Sequence, residues 1–165
     1  MQLDAEPMID LLADKIGKLA PDTAIIGVHT GGAWVAQRLH KHLGASNPFG
    51  TLAVTLHRDD FASIGLHPQK KSTDINFAVE GCHILLVDDV IHTGRSLRAA
   101  LNEIFDFGRP ASVKLACLID RGGRELPYHA DFVAMTMDLN ADQELELTMD
   151  AASSKLRFDV KLKKV

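Results

Sequence analysis

The 165-residue sequence has few cysteines and no long hydrophobic run, and both absences limit what the protein can be. Its two cysteines, Cys82 and Cys117, lie near apolar runs, so we expect small buried hydrophobes rather than a disulfide framework. No apolar run approaches the roughly 18 residues that span a bilayer, and the acidic N-terminus lacks the apolar core of a secretory signal. The eight histidines show no zinc-binding spacing. These features predict a cytoplasmic protein without a membrane partner.

The charge is distributed unevenly along the chain. Residues 151–165 hold five basic residues against one acidic residue (+4), which leaves 13 basic and 21 acidic residues elsewhere (−8). A body this acidic is a poor generic binder of nucleic acid. Hydrophobic residues make up 46% of the sequence, so it predicts a folded chain, and its length suits a single domain over residues 1–165.

Apolar periodicity alternates between strand and helix along most of the chain. Helical spacing appears at 7–20, at 33–44, which Gly44 would close, and at 96–108, where Ser96 would be the N-cap. Short apolar runs typical of strands lie between these segments, at residues 23–28, 51–57, 83–89 and 111–120. Strands separated by helices predict parallel βαβ units and an α/β sheet that helices cover.

The C-terminal part follows another pattern. Short strands are predicted at 130–135 and 144–149, and residues 155–163 alternate strictly between apolar and mostly basic side chains. The simplest interpretation of 155–163 is a half-buried edge strand whose lysines discourage further pairing. Contact between these lysines and RNA is the alternative.

The string VDDVIHTGRS places two acids beside a loop suited to an anion. Ligands of open parallel sheets bind at the carboxyl ends of strands, and helix N-termini favour phosphate. Gly94 permits close backbone approach, while Thr93 and Ser96 offer hydroxyl donors. Asp88 and Asp89 can accept hydrogen bonds from hydroxyls and favour a nearby Mg²⁺. The string therefore predicts a ligand with a phosphate, vicinal hydroxyls and a metal-bound group; an ordinary strand-to-helix turn is the alternative.

The longer string ILLVDDVIHTGRS resembles the signature with which type I phosphoribosyltransferases bind phosphoribosyl pyrophosphate (PRPP). LHRDDF, KSTDINFAVEG and DRGGRELP are similar to a branch of that family whose members regulate pyrimidine operons and also act on uracil. Together these stretches lie within residues 22–135. The resemblance implies a Rossmann-like open parallel sheet with helices on both faces. It also implies a flexible lid loop at about 58–78 and a small hood with the C-terminal strands at about 121–165.

The resemblance also implies roles for individual residues. Asp88 and Asp89 would hold the ribose hydroxyls and, indirectly, the Mg²⁺ that accompanies PRPP. The 5′-phosphate loop would consist of Thr93, Gly94, Arg95 and Ser96, and the pyrophosphate loop of Thr30, Gly31 and Gly32. The lid would supply Arg58 and Lys71, although Arg58 could equally pair with an acid. The hood segment would place Phe132 and Val133 against the base.

His92 stands where purine-specific members of the family place an acid near the base. It could shuttle a proton, or it could pack or contact the edge of the base. Two further segments, with two residues each, differ from the pyrimidine-regulating branch. The pyrophosphate loop reads HTGG, with His29 and Gly31 where that branch often has a basic residue and an arginine. His129 and Met135 replace basic residues of its RNA-binding members.

The implied reaction joins uracil to PRPP and yields UMP and pyrophosphate, with Mg²⁺ as cofactor and a homodimer or higher oligomer as the assembly. A regulatory sensor that binds UMP or PRPP and acts through RNA or a protein is the second hypothesis, because it needs the same cavity. The sequence does not fix the base.

Overall fold

The computed structural model describes residues 1–43, 46–54 and 72–164. In these residues the chain forms two sheets and three helices. The helices are α1 (Glu6–Ile16), α2 (Gly31–His42) and α3 (Arg95–Asp106). The strands are β1 (Gln2–Asp4), β2 (Thr23–Val28), β3 (Phe49–Leu52), β4 (His83–Ile91), β5 (Ser112–Asp120), β6 (Phe132–Thr136), β7 (Gln143–Met149) and β8 (Leu156–Leu162). None of the described helices is long and apolar enough to cross a membrane.

The larger sheet is parallel, with strand order β3-β2-β4-β5-β6, and its two faces carry different helices. Ile25 and Leu85 belong to a buried cluster with apolar residues of α1 and α2. Their chain neighbours Ile26 and Leu86 belong to a second cluster with α3. Successive side chains of a strand point to opposite faces, so helices cover both faces. The predicted α/β fold, an open parallel sheet with helices on both faces, is confirmed.

A separate antiparallel sheet of order β1-β8-β7 forms the hood. Its central strand is β8, in which Leu156 and Phe158 are fully buried. The prediction that residues 155–163 form an edge strand is therefore wrong, because the three-residue strand β1 covers the free side of β8. The sequence pattern gave no sign of β1, which is too short to show periodicity.

Several predicted boundaries shift in the structure. Strand β4 continues to Ile91, so Asp88 and Asp89 lie inside the strand rather than at its end. Ser96 is not an N-cap: α3 begins at Arg95 after a left-handed Gly94. Gly44, Arg58, Lys71 and most of the predicted lid lie outside the described residues.

Candidate active site

A cavity of about 870 Å³ opens where the carboxyl end of β4 meets the hood. One wall is the predicted motif, from Asp88 through Thr93 to Ser96 and Leu97. The opposite wall comes from the hood, and residues of both β7 and the end of β8 contribute to it. This is the size range of small-molecule sites, and it lies where ligands of open parallel sheets bind.

The two acids of β4 lie against the glycines that begin α2. Asp88 is 9% exposed, and its Oδ1 accepts the backbone N–H of Asp89 at 2.9 Å. A Cβ atom on Gly31 would lie 2.3 Å from Oδ2 of Asp89, and one on Gly32 would lie 2.6 Å from the carbonyl oxygen of Val87. Only glycine allows this approach, so the structure brings the predicted pyrophosphate loop and the acid pair together. The peptide bond between His29 and Thr30 is cis.

The loop from Thr93 to Ser96 has the features of a phosphate cradle. Gly94 has φ +93°, which an L side chain rarely adopts, and it opens α3 without a side-chain cap. Thr93 is 6% exposed, and its Oγ1 accepts the N–H of Arg95 at 3.2 Å. Gly94, Ser96 and Leu97 at the N-terminus of α3 line the cavity, and a helix N-terminus favours an anion. Arg95 itself pairs with Glu125 at 2.6 Å and does not line the cavity wall.

The segment after β5 fastens this loop in place. The carbonyl oxygen of Thr93 accepts the N–H groups of Glu125 and Leu126 at 2.9 and 3.0 Å. Arg124 donates to the carbonyl oxygen of His92 at 2.9 Å and to Oδ2 of Asp120 at 2.6 Å. The stretch DRGGRELP therefore stabilises the motif loop through hydrogen bonds to the carbonyl oxygens of Thr93 and His92. Its sequence alone does not reveal this role.

These contacts also affect the ionisation of nearby groups. Burial alone would raise the pKa of Asp120, but the hydrogen bonds from Arg124 and from the Gly122 N–H lower it below its ordinary value. Burial, followed by the charge of Asp88, raises the pKa of Cys117, so this thiol stays protonated and inert as predicted for a buried cysteine.

His92 lines the cavity and is oriented by the backbone. Its Nδ1 lies 3.0 Å from the carbonyl oxygen of Gly122. A carbonyl can only accept, so Nδ1 carries the proton and Nε2 of the neutral ring has a free lone pair. Gly123 packs on the ring, since a Cβ there would lie 2.7 Å from Cε1. The His92 ring therefore packs against Gly123, and its Nε2 is a basic nitrogen.

Charged residues outside the motif also line the cavity, and sequence reasoning missed them as site residues. They are Arg121 and Glu125, which follow β5, and Glu144, Glu146, Lys161, Lys163 and Lys164, which belong to the hood strands and the residues after β8. Lys161 pairs with Glu146, and Nζ of Lys163 donates to the carbonyl oxygen of Ala141 at 2.8 Å. The sequence pattern indicates only edge-strand or RNA-contact roles for these lysines, because nothing local in it shows that β8 reaches the cavity.

Phe132 and Val133 lie elsewhere than predicted. Both belong to β6, where they pair with Ala116 and Cys117 of β5, so they are part of the parallel sheet and not of the hood. The Phe132 ring lies 6.0 Å from Nζ of Lys114. Neither lines the cavity wall, and their contact with a base stays a prediction.

The residues present suit a substrate-borne Mg²⁺ rather than a resident metal. The described part of the chain contains no cluster of three or more side chains that could hold a metal ion. Two adjacent carboxylates at the cavity nevertheless match the donors that Mg²⁺ takes when substrate phosphates and water complete its shell. Asp88 and Asp89 are the residues that would hold it.

Residues 3–146 match the phosphoribosyl transferase domain, and the chain belongs to that family. Among its relatives, the bifunctional protein PyrR of Nitrosococcus oceani is 54% identical over 127 residues, which cover 76% of this chain and 72% of that protein. The PyrR protein of Pseudomonas putida is 46% identical over 152 residues, 92% of this chain and 88% of that protein. The resemblance stated from the motif strings is thereby confirmed.

Solved structures of the family share the fold. A hypoxanthine-guanine phosphoribosyltransferase from Bacillus anthracis superposes with a TM-score of 0.64 at 17% identity, over 82% of each chain. A hypoxanthine phosphoribosyl transferase from Trypanosoma cruzi gives 0.58 at 22% identity, over 86% of this chain and 78% of that one. At such identities the likeness shows the fold alone.

Proposed function

We propose that the protein transfers the phosphoribosyl group of PRPP to uracil, which yields UMP and pyrophosphate. The observation that carries this proposal is the convergence of three elements at one edge of the sheet. These are the phosphate cradle at Thr93–Ser96, the carboxylates Asp88 and Asp89, and the glycine loop Gly31–Gly32. A 5′-phosphate, a ribose with two hydroxyls and a pyrophosphate fit these elements in that order. The choice of uracil rests on the resemblance of the motif strings to the branch of the family that also acts on uracil, and similarity to PyrR proteins is in keeping with that branch.

The reaction displaces pyrophosphate from the anomeric carbon of the ribose. Positive charge develops on the sugar as the bond to pyrophosphate lengthens, and the charges of Asp88 and Asp89 stabilise it. The Thr93–Ser96 loop holds the 5′-phosphate, so the anomeric carbon stays in line between the base nitrogen and the leaving group. Mg²⁺, when bound with PRPP, neutralises charge on the departing pyrophosphate.

We further propose that His92 receives the proton that the base loses. Its Nδ1 is committed to the Gly122 carbonyl, so Nε2 is the nitrogen available at the cavity. A neutral imidazole can accept a proton near physiological pH. This orientation supports the proton-shuttle role, which the sequence left open beside packing or a contact with the edge of the base.

Regulation of pyrimidine genes is the second candidate function, because the PyrR relatives carry the description bifunctional. A sensor of UMP or PRPP would use the same cavity. Of the basic residues at 151–165, however, Lys161, Lys163 and Lys164 line the cavity. Glu146 engages Lys161, and the Ala141 carbonyl engages Lys163. This leaves less basic surface for RNA than the sequence suggested.

The enzymatic proposal is tested by pyrophosphate release from PRPP with uracil, hypoxanthine, guanine and orotate in parallel. We expect release with uracil only and dependence on Mg²⁺. Release with a purine base alone would refute the choice of base, and no release with any base would refute catalysis.

The regulatory candidate is tested by titrating a structured pyrimidine-leader RNA at several salt concentrations. We expect weak binding that falls steeply with salt, because it would rest on phosphate neutralisation. Nanomolar binding with sequence preference and little salt dependence would favour the regulator over the enzyme. Truncation of the tail is not a usable control, because residues 156–162 form the central hood strand.

A further inference from the structure

The strand order leaves one direction for the base. Going across the sheet, β2 ends at the glycine loop, β4 carries the acid pair, and β5 is followed by Arg121. If the proposed function holds, the ribose lies above β4 and the pyrophosphate lies toward β2. The bond to pyrophosphate breaks on one side of the anomeric carbon, and the bond to the base nitrogen forms on the opposite side. The base therefore lies toward β5 and the hood.

On that side Arg121 has a fixed backbone and an under-used side chain. Its N–H donates to the carbonyl oxygen of Ile91 at 3.1 Å, which ties it to the strand of the acid pair. Nη2 reaches the carbonyl oxygen of Gln143 only at 3.4 Å, and Nε is buried without a hydrogen-bond partner among the described residues. A guanidinium has five N–H donors, so most of its hydrogen-bonding capacity is not used by the protein.

The residues near Arg121 include one opposite charge and one apolar side chain. Burial lowers the pKa of Arg121, and the nearby charge of Glu144 partly offsets this. The side chain is charged at neutral pH because a guanidinium is not deprotonated in proteins. Leu145, the next residue of β7, lines the same wall and offers an apolar surface. A planar ring with carbonyl oxygens on its edge fits such a wall, because the donor suits the oxygens and the apolar side chain suits the face of the ring.

We propose that Arg121 is a specificity-determining residue that donates a hydrogen bond to a ring carbonyl oxygen of the pyrimidine base. This inference rests on the proposed function and deepens it. A guanidinium can only donate, so it favours a carbonyl of uracil and disfavours the amino group that cytosine carries at the equivalent edge. Arg124, three residues later, has a different task, because its donors are taken by Asp120, His92 and Tyr128.

The test compares steady-state kinetics of the wild type with Arg121→Gln and Arg121→Lys. Loss of a charge-assisted hydrogen bond to the base should raise the KM for uracil about tenfold or more in Arg121→Gln. The KM for PRPP should change less than about twofold, since the phosphate and ribose contacts are intact. Arg121→Lys keeps the charge and should recover part of the uracil affinity, without the geometry of the guanidinium fork. If Arg121→Gln fails to fold, the uracil KM of Arg121→Lys is the test.

Arg109→Gln is the matched control, because Arg109 is exposed and lies outside the cavity wall. It should leave both KM values unchanged. If the wild type uses uracil but Arg121→Gln has an unchanged uracil KM, the role of Arg121 is refuted and the proposed function stands. An equal rise in both KM values would make Arg121 structural and refute the inference as well. If the wild type releases no pyrophosphate with uracil, the proposed function fails and the inference fails with it.

Discussion

Substitution of Gly31 separates the chemistry of the site from the stability of the fold. A Cβ atom at Gly31 would lie 2.3 Å from Oδ2, 2.7 Å from Cγ and 3.1 Å from Cβ of Asp89. The carboxylate atoms Oδ2 and Cγ can rotate away, and the contact with Cβ asks for a shift of only a few tenths of an ångström. Gly31→Ala should therefore displace the Asp89 carboxylate and leave the backbone where it is.

The energetic consequences of Gly31→Ala can be worked out from this geometry. Rotation of one cavity-lining side chain costs little stability. Alanine is favoured over glycine by roughly 0.5–1 kcal/mol in a helix interior and by less at the first residue of α2, so the net change in unfolding free energy should be close to zero. The lost carboxylate contact with a ribose hydroxyl is a charge-assisted hydrogen bond, worth about 1.5–3 kcal/mol. That corresponds to a fall in kcat/KM for PRPP of roughly 10- to 150-fold.

Gly32→Ala provides the contrast one residue further on. A Cβ atom there would lie 2.6 Å from the carbonyl oxygen of Val87 and 2.9 Å from Cα of Asp88. These are backbone atoms of β4, so α2 itself would have to move away from the sheet. Such overpacking costs typically 1–3 kcal/mol. The melting temperature should fall by about 2–12 °C for a chain of this size.

Both variants are measured by thermal unfolding and by pyrophosphate release over a range of PRPP concentrations. Gly31→Ala should keep the wild-type melting temperature and lose activity. Gly32→Ala should melt below the wild type. A Gly31→Ala protein with wild-type kcat/KM for PRPP would show that the position of Asp89 is irrelevant to the substrate. A Gly31→Ala protein that melts far below the wild type would contradict the packing argument.

The remaining predictions concern the acids and their supports. The double variant Asp88→Asn, Asp89→Asn should abolish pyrophosphate release while circular dichroism stays that of a folded protein; unchanged turnover would remove both acids from the site. Arg124→Met should lower the free energy of unfolding by about 2–3 kcal/mol, because it deletes hydrogen bonds to Tyr128, to Asp120 and to His92 of the motif loop, and chemical denaturation measures this. The pKa of Asp120 is lowered in the folded state, so its stabilisation is present above the unfolded pKa of about 3.9 and is lost as pH falls through the folded value. Urea unfolding from pH 5 to pH 2 should therefore show the stability difference between the wild type and Asp120→Asn shrinking below about pH 4; a constant difference would contradict the assignment.

Local patterns in the sequence were sufficient for the parallel sheet and for the core of the site. Continuous apolar runs such as TAIIGV and HILLV can be satisfied only by strands covered on both faces, and β2 and β4 form there. The motif from Asp88 to Ser96 is contiguous, so its acids and its phosphate loop come together through local geometry alone.

Residues that meet only through long-range packing could not be found in this way. The pattern LRFDVKL specifies a strand with one buried face but not its neighbours, so the central place of β8 depended on pairing with β1 more than 150 residues away. Likewise, the approach of Arg121 and β7 to the motif depends on how the hood docks above the sheet. The sequence by itself determined the acids and the loop of the motif, because those residues are contiguous. The tertiary structure alone decided which residues line the opposite wall of the cavity, because that wall is assembled from distant strands.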